Sequence, residues 1–135
     1  MRTDVRRCIP DPGASRRPGT LLLDTLEVYD PTTNTWETLA PMPTGRSGIA
    51  GAVVNGCLYV FGGEGARRPG GTFNENEVYD PRTNSWESAP PMPTARHGIG
   101  AAVVGTEMYI PGGAVLQGFG VTDIHEVFQA VKDCR

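Results

Sequence analysis

The chain has 135 residues, a net charge of −3, 18 glycines and 12 prolines, with modest aromatic content; this composition fits a soluble β domain. The charge is too small to argue for a nucleic-acid or membrane partner, and no apolar run is long enough to span a bilayer. No apolar segment follows the N-terminal arginines, so this stretch carries no secretory signal, and the cytoplasm is left as a default compartment.

In chain order, Met1 to Gly19 holds five arginines and three prolines with almost no apolar side chains, which predicts a disordered tail. It reads as a solvated arm or a misread gene start rather than a basic arm for an acidic surface. The apolar runs after it are short and strand-like, separated by turn residues every eight to twelve positions, so an all-β meander is expected. Leu26 to Tyr29 and Trp36 to Leu39 are strands joined through Asp30-Pro31, where Asp bonds following amides and Pro fixes φ. Gly48 to Val54 and Cys57 to Gly62 flank Asn55-Gly56, the dipeptide of tight hairpins. Asn76 to Tyr79 and Trp86 to Ala89 flank Asp80 to Asn84, and a last strand starts near Glu126.

These elements repeat. Residues 28 to 63 and 78 to 113 align without a gap at an offset of 50, with 21 identities in 36 positions, and Glu126-Val127-Phe128 is a weaker third echo, one residue short of the period. Such a period points to a propeller or solenoid, in which each unit buries its face against its neighbours. Naming the strands of one unit a to d, strand a carries Ile49-Ala50-Gly51-Ala52 and Ile99-Gly100-Ala101-Ala102. Small side chains there suit converging inner strands, while Trp36 and Trp86 supply bulk for the wider outer wedge.

Taken together, the Arg-x-Gly start, the Tyr-x-x-Gly-Gly strand, the Tyr-Asp-Pro turn, the following Trp and the Pro-Met-Pro segment resemble the kelch repeat, over about Asp24 to Phe128. The resemblance implies antiparallel four-stranded blades around a central channel: a partial blade at 24–45, a full blade at 46–95 and a partial blade at 96–128, within repeats spanning 20–128, then a tail at 129–135. Pro111 departs from it, standing where the other copy has Phe61. A proline there removes a ladder donor and is expected to loosen that strand. Nine strands make about two and a quarter blades, whereas rings have about four to eight. An incomplete propeller is expected, read first as a fragment of a longer protein, and failing that as a truncated product that folds poorly or as a ring assembled from several copies.

Catalytic and metal chemistry find little support. The three cysteines, Cys8, Cys57 and Cys134, have no metal-ligand spacing, and their odd number argues against a disulfide framework; Cys57 reads as a small strand residue and Cys134 as part of a tail. His97 and His125 lack partners at zinc-site spacing, Ser47 lacks a nucleophile elbow, and Gly62-Gly63 and Gly112-Gly113 precede no helix. No cofactor is expected. In a meander the b-to-c and d-to-a connections share one end of the blades, and the longer loops, Glu64 to Glu75 and Ala114 to Asp123, lie there. Candidate partner-binding residues on that face are Arg46, Ser47, Arg67, Arg68, Phe73, Arg96, His97 and Phe119.

The resemblance implies that Arg46 and Arg96 hold acidic peptide segments by charge-assisted hydrogen bonds; the competing reading makes them part of the blade framework. A non-enzymatic module binding a protein or peptide is the expected function. The alternative is a piece of a kelch-type enzyme, a sialic acid mutarotase or epimerase using Arg46, Arg96 and Glu64, or a galactose-oxidase-like protein.

Overall fold

The structure is a computed structural model that describes residues 22–66 and 69–135. The expected N-terminal tail, Arg67 and Arg68 lie outside the described residues. Strands β1 (Leu26–Asp30) and β2 (Thr35–Leu39) form one hairpin. Strands β3 (Ala50–Val54), β4 (Cys57–Phe61), β5 (Asn76–Asp80) and β6 (Ser85–Ala89) make a four-stranded antiparallel blade in sequential order. Strands β7 (Ala102–Val104) and β8 (Glu107–Pro111) pair with β11 (His125–Gln129) in a three-stranded sheet, and between them β9 (Ala114–Leu116) and β10 (Phe119–Val121) form a separate hairpin. The fold is therefore all-β, built as blades side by side, and the described sheets do not close into a ring.

Turn chemistry explains why the strands reverse where they do. Asn55 and Gly56 have φ of 51° and 76°, the left-handed pair that lets a two-residue loop match the strand twist. At the c-to-d turns, Asp80 Oδ1 accepts the Arg82 amide at 2.9 Å and Asn84 turns left-handed at φ 48°, with its Oδ1 accepting the Tyr79 hydroxyl at 2.8 Å. Asp30, Thr32, Asn34 and Tyr29 repeat this geometry in the first hairpin. The Asn84 carboxamide oxygen also accepts the Ala40 amide, and Trp86 Nε1 donates to the Ala40 carbonyl at 2.8 Å, so the same turn couples two blades. Trp86 fills the outer wedge as expected, whereas its counterpart Trp36 is half exposed because no sheet lies against it among the described residues.

All five residues of β4 and all five of β5 are buried, so the second blade is covered on both faces. Leu58, Val60 and Tyr79 pack towards Leu26 and Met42; Ala52, Tyr59, Phe61 and Val78 pack towards Met108 and Ile110. The period-2 alternation of strands assigns these two sets to opposite faces. In the third sheet the residue matching buried Phe61 is exposed Pro111. Ala50 pairs with Phe61, but β7 begins only at Ala102, two residues short of its counterpart, as a missing ladder donor dictates.

The cysteines depart from the expectation. Cys57 and Cys134 form a disulfide across 77 residues, with Cα atoms 5.1 Å apart. Of the tail expected at 129–135, Gln129 closes β11 and residues 130–135 run back across the turns of the second blade: Tyr59 Oη accepts the amides of Val131 and Lys132, and Asn55 O accepts that of Cys134. Closing so long a loop constrains the unfolded chain by on the order of 4 kcal/mol.

Gly63 has φ 122°, and a Cβ there would sit 2.7 Å from the Ser47 carbonyl, so Gly63→Ala should lower stability by on the order of 2 kcal/mol in denaturant titration. The Arg82 side chain, through its hydrogen bond, pulls Asp80 from 3.8 down to about 2. A depressed carboxylate stabilises the fold above its unfolded pKa, and that contribution disappears as pH falls through the folded value. The difference in melting temperature between the native chain and Asp80→Asn should therefore be full above pH ~4 and close towards pH ~2; a difference constant across that range would contradict the assignment.

Candidate functional site

The b-to-c and d-to-a connections gather at one end of the blades, and two arginines organise that end from below. Arg46 is 1% exposed: its Nε donates to Gly62 O at 2.6 Å, its Nη1 to Thr44 O at 2.8 Å and Glu77 Oε2 at 2.7 Å, and its Nη2 to Val60 O at 3.1 Å. Arg96 is fully buried and repeats the arrangement, with Nη1 on the carbonyls of Ile110, Gly112 and Ile124 and Nη2 on Glu126 Oε2 at 2.7 Å. Its Nε has no hydrogen-bond partner among the described residues. The second carboxylate oxygen of each glutamate is also used: Glu77 Oε1 accepts the Thr44 hydroxyl and Glu126 Oε1 the Thr94 amide. Each pair thus ties the Pro-Met-Pro-Thr loop, the end of strand b and the start of strand c into one unit.

This geometry corrects the expectation that Arg46 and Arg96 face a ligand. Both guanidinium groups have zero solvent exposure, and the carbonyl and carboxylate oxygens around each would be left buried without a donor if it turned outward. Phe73 is likewise buried, at 2% exposure. Ser47 is exposed, though its amide and carbonyl bridge to Glu64. His97 is mostly buried and serves as a brace: one ring nitrogen meets Leu116 O at 2.8 Å and the other lies 3.5 Å from Glu64 Oε2.

Phe119 is the one described candidate that projects strongly, at 67% exposure. It sits on β10, paired with Leu116 of β9, while Val121 pairs with Ala114. Paired residues and those two apart on a strand share a sheet face, so Leu116, Phe119 and Val121 make one apolar surface, and all three are exposed. The hairpin is held from behind. Glu64 Oε2 accepts the Gly118 amide at 3.0 Å, Gly70 O accepts the Gln117 amide, and the Thr72 hydroxyl donates to Val115 O. Residues 114–123, expected as a long loop, form this hairpin, which adds Leu116 and Val121 to the candidate face. The signal was present in the apolar run Ala114-Val115-Leu116 and the alternating Phe119-Gly120-Val121 on either side of Gln117-Gly118.

Elsewhere, a shallow concavity lined by Val28, Tyr29, Asp30 and Glu37 lies on the first hairpin, far in sequence from these loops. Among the described residues no group of three or more His, Cys, Asp or Glu side chains is arranged to hold a metal ion. Glu64→Ala removes the brace shared by His97 and Gly118 but no core contact, so it should leave the melting temperature within a few degrees. Hydrogen exchange at the Gly118 amide should quicken; an unchanged rate there would show that Glu64 does not hold the hairpin.

Comparison with known proteins agrees with this architecture. The Kelch motif model matches residues 19–43 and 45–93, more than half of the chain. Kelch-like protein 35 of Mus musculus is 49% identical over 43 residues, 32% of this chain and 8% of that protein. Kelch-like protein 23 of Homo sapiens is 46% identical over 37 residues, 27% of this chain and 7% of that protein. The influenza virus NS1A-binding protein homolog of Mus musculus is 54% identical over 41 residues, 30% of this chain and 6% of that protein. The matched stretch is under a tenth of each relative's length, about one repeat. With its repeated Tyr-Asp-Pro turns, double-glycine strand ends and buried Arg–Glu pairs folded as antiparallel blades, the chain belongs to the Kelch motif family.

Proposed function

We propose that this chain is a protein-interaction module of the kelch type, which binds a protein or peptide through the end of the blades bearing the b-to-c and d-to-a loops. The observation that carries the reading is the apolar face of Leu116, Phe119 and Val121, exposed on a hairpin that Glu64, His97 and Gly70 hold in place. Large side chains displayed on a braced two-stranded element lose little entropy on contact and resemble the anchors of protein interfaces. A name among the relatives, that of the NS1A-binding protein homolog, records protein binding for that protein.

The role proposed is binding without catalysis. An acid-sugar enzyme would need Arg46 and Arg96 with Glu64 around an open funnel, yet both arginines are spent on Glu77, Glu126 and backbone carbonyls. For the same reason these two residues lend no support to an acidic partner. We further propose that the chain works as part of a ring. Among the described residues the first hairpin has no strands a and b, and β11 pairs on one side only. Supply of the missing strands by a longer polypeptide is favoured over assembly of three copies, because three copies would leave a spare c strand on each.

The reading is tested with peptides selected from a displayed random library on the folded chain. Phe119→Asp and Val121→Asp should each weaken the selected peptides by roughly tenfold or more, while Trp36→Ala, on an exposed side chain of the first hairpin, should leave them unchanged. Peptides whose affinity ignores both hairpin substitutions would overturn the proposed face.

A further inference from the structure

Two departures from the repeat meet in space. Cys57 stands where the other copy has Glu107, and Cys134, at the shortened offset of 49, stands where the second blade has Ser85. Neither belongs to the kelch pattern, yet they are bonded to each other. The segment between β11 and Cys134 also abandons the turn that the other repeats make. Gln129 replaces the turn-forming Asp30 and Asp80, and its side chain donates instead to Thr106. Without an aspartate to accept the following amides the chain does not reverse into a fourth strand; it crosses to the second blade.

What holds that crossing is sparse. In residues 131–135 Cys134 alone is buried, and Val131 is 59% exposed. The remaining contacts are three amide hydrogen bonds, to Tyr59 Oη and Asn55 O, and polar contacts of the side chains: Arg82 to the carbonyls of Asp133 and Arg135, and Lys132 to exposed Glu87 and, at 3.6 Å, to buried Asp80. The pair with Glu87, whose carboxylate is 60% exposed, contributes little, and ordering five residues costs conformational entropy on the order of 1–2 kcal/mol for each. Those contacts by themselves leave the strap marginal.

We propose that Cys57–Cys134 is a redox clasp: the C-terminal strap stays docked across the second blade only while the disulfide is closed, so thiol–disulfide exchange sets how firmly the third sheet is tied to the second. The reactant is a thiol or disulfide of low molecular weight. On closing, the two thiols give up two protons and two electrons to an external disulfide, which leaves as two thiols; opening is the reverse, through a mixed disulfide. Both cysteines are shielded, Cys57 completely and Cys134 to 4% exposure, so an external thiol reaches the bond only through local fraying around it, and release of the strap follows the opening. The proposal is independent of what the loop face binds, since the clasp lies at the opposite, a-to-b and c-to-d end of the blades.

The test compares the full chain before and after complete reduction by a phosphine, in the native sequence and in Cys8→Ser, so that the third cysteine is accounted for. Peptide mapping of the unreduced chain should show Cys57 joined to Cys134. On reduction, the amides of Val131, Lys132 and Cys134 should lose protection by tenfold or more, and the melting temperature should fall by on the order of 10 °C. Oxidised glutathione should restore both, and Cys8→Ser should behave as the native chain does. Unchanged protection of those three amides after full alkylation-verified reduction would overturn the clasp, even with a lower melting temperature, and so would a map that joins either cysteine to Cys8.

Discussion

A charged pair buried inside each of the second and third blades is the constraint on which the rest of this structure depends. Arg46 with Glu77, and Arg96 with Glu126, put a guanidinium where three connections meet, and each guanidinium donates to carbonyls at the end of strand b. A carboxylate and a guanidinium taken out of water cost several kcal/mol each before pairing, so the arrangement stands only because nearly every donor and acceptor is matched. Its consequence is geometric. With strand a, the end of strand b and the start of strand c fixed at one point, the b-to-c loops can vary in length without disturbing the sheet. That freedom is used differently in the two blades: a 3-10 turn, Pro69–Gly71, in one and the β9–β10 hairpin in the other.

Packing between blades follows from the same repeat. The second blade is buried on both faces because its neighbours present matching surfaces. The contacts are made by small alanines on the inner strand, aromatic and branched side chains on the middle strands, and Trp86 on the outer one. Position in the array, rather than residue type, decides exposure. Tyr79 and Trp86 are covered, and their counterparts Tyr29 and Trp36 are more open in a matching local setting. On the loop face the residues that the framework does not consume are the hairpin side chains, the surface proposed for binding.

Strand positions, hairpin turns and the family were legible in the sequence because each rests on local chemistry that recurs: Asn55-Gly56, the Asp-Pro turns, the period-2 apolar runs. The effect of Pro111 was legible for the same reason, since a lost amide acts at its own position. The arginines were harder. Their repetition showed that they matter, but whether they point inward or outward depends on Glu77 and Glu126, which are far along the chain and whose placement needs the folded blade. The disulfide was not legible at all. A separation of 77 residues carries no spacing signal, and its two cysteines meet where the segment after Gln129 crosses to the second blade instead of turning. The hairpin in 114–123 was missed for a plainer reason: the repeat shows itself in spacing shared between copies, and this segment has no counterpart in the other copy.

The central claim is a division of labour in which buried arginines carry the fold and the exposed hairpin carries the contact surface. It is tested most directly by equilibrium unfolding of Arg46→Met, Arg96→Met and Phe119→Ser beside the native chain, under oxidising conditions. The account expects each arginine variant to lose about 3–5 kcal/mol, the cost of stranding a buried glutamate, and Phe119→Ser to stay within about 0.5 kcal/mol. Arginine variants as stable as the native chain, with Phe119→Ser markedly weakened, would contradict it.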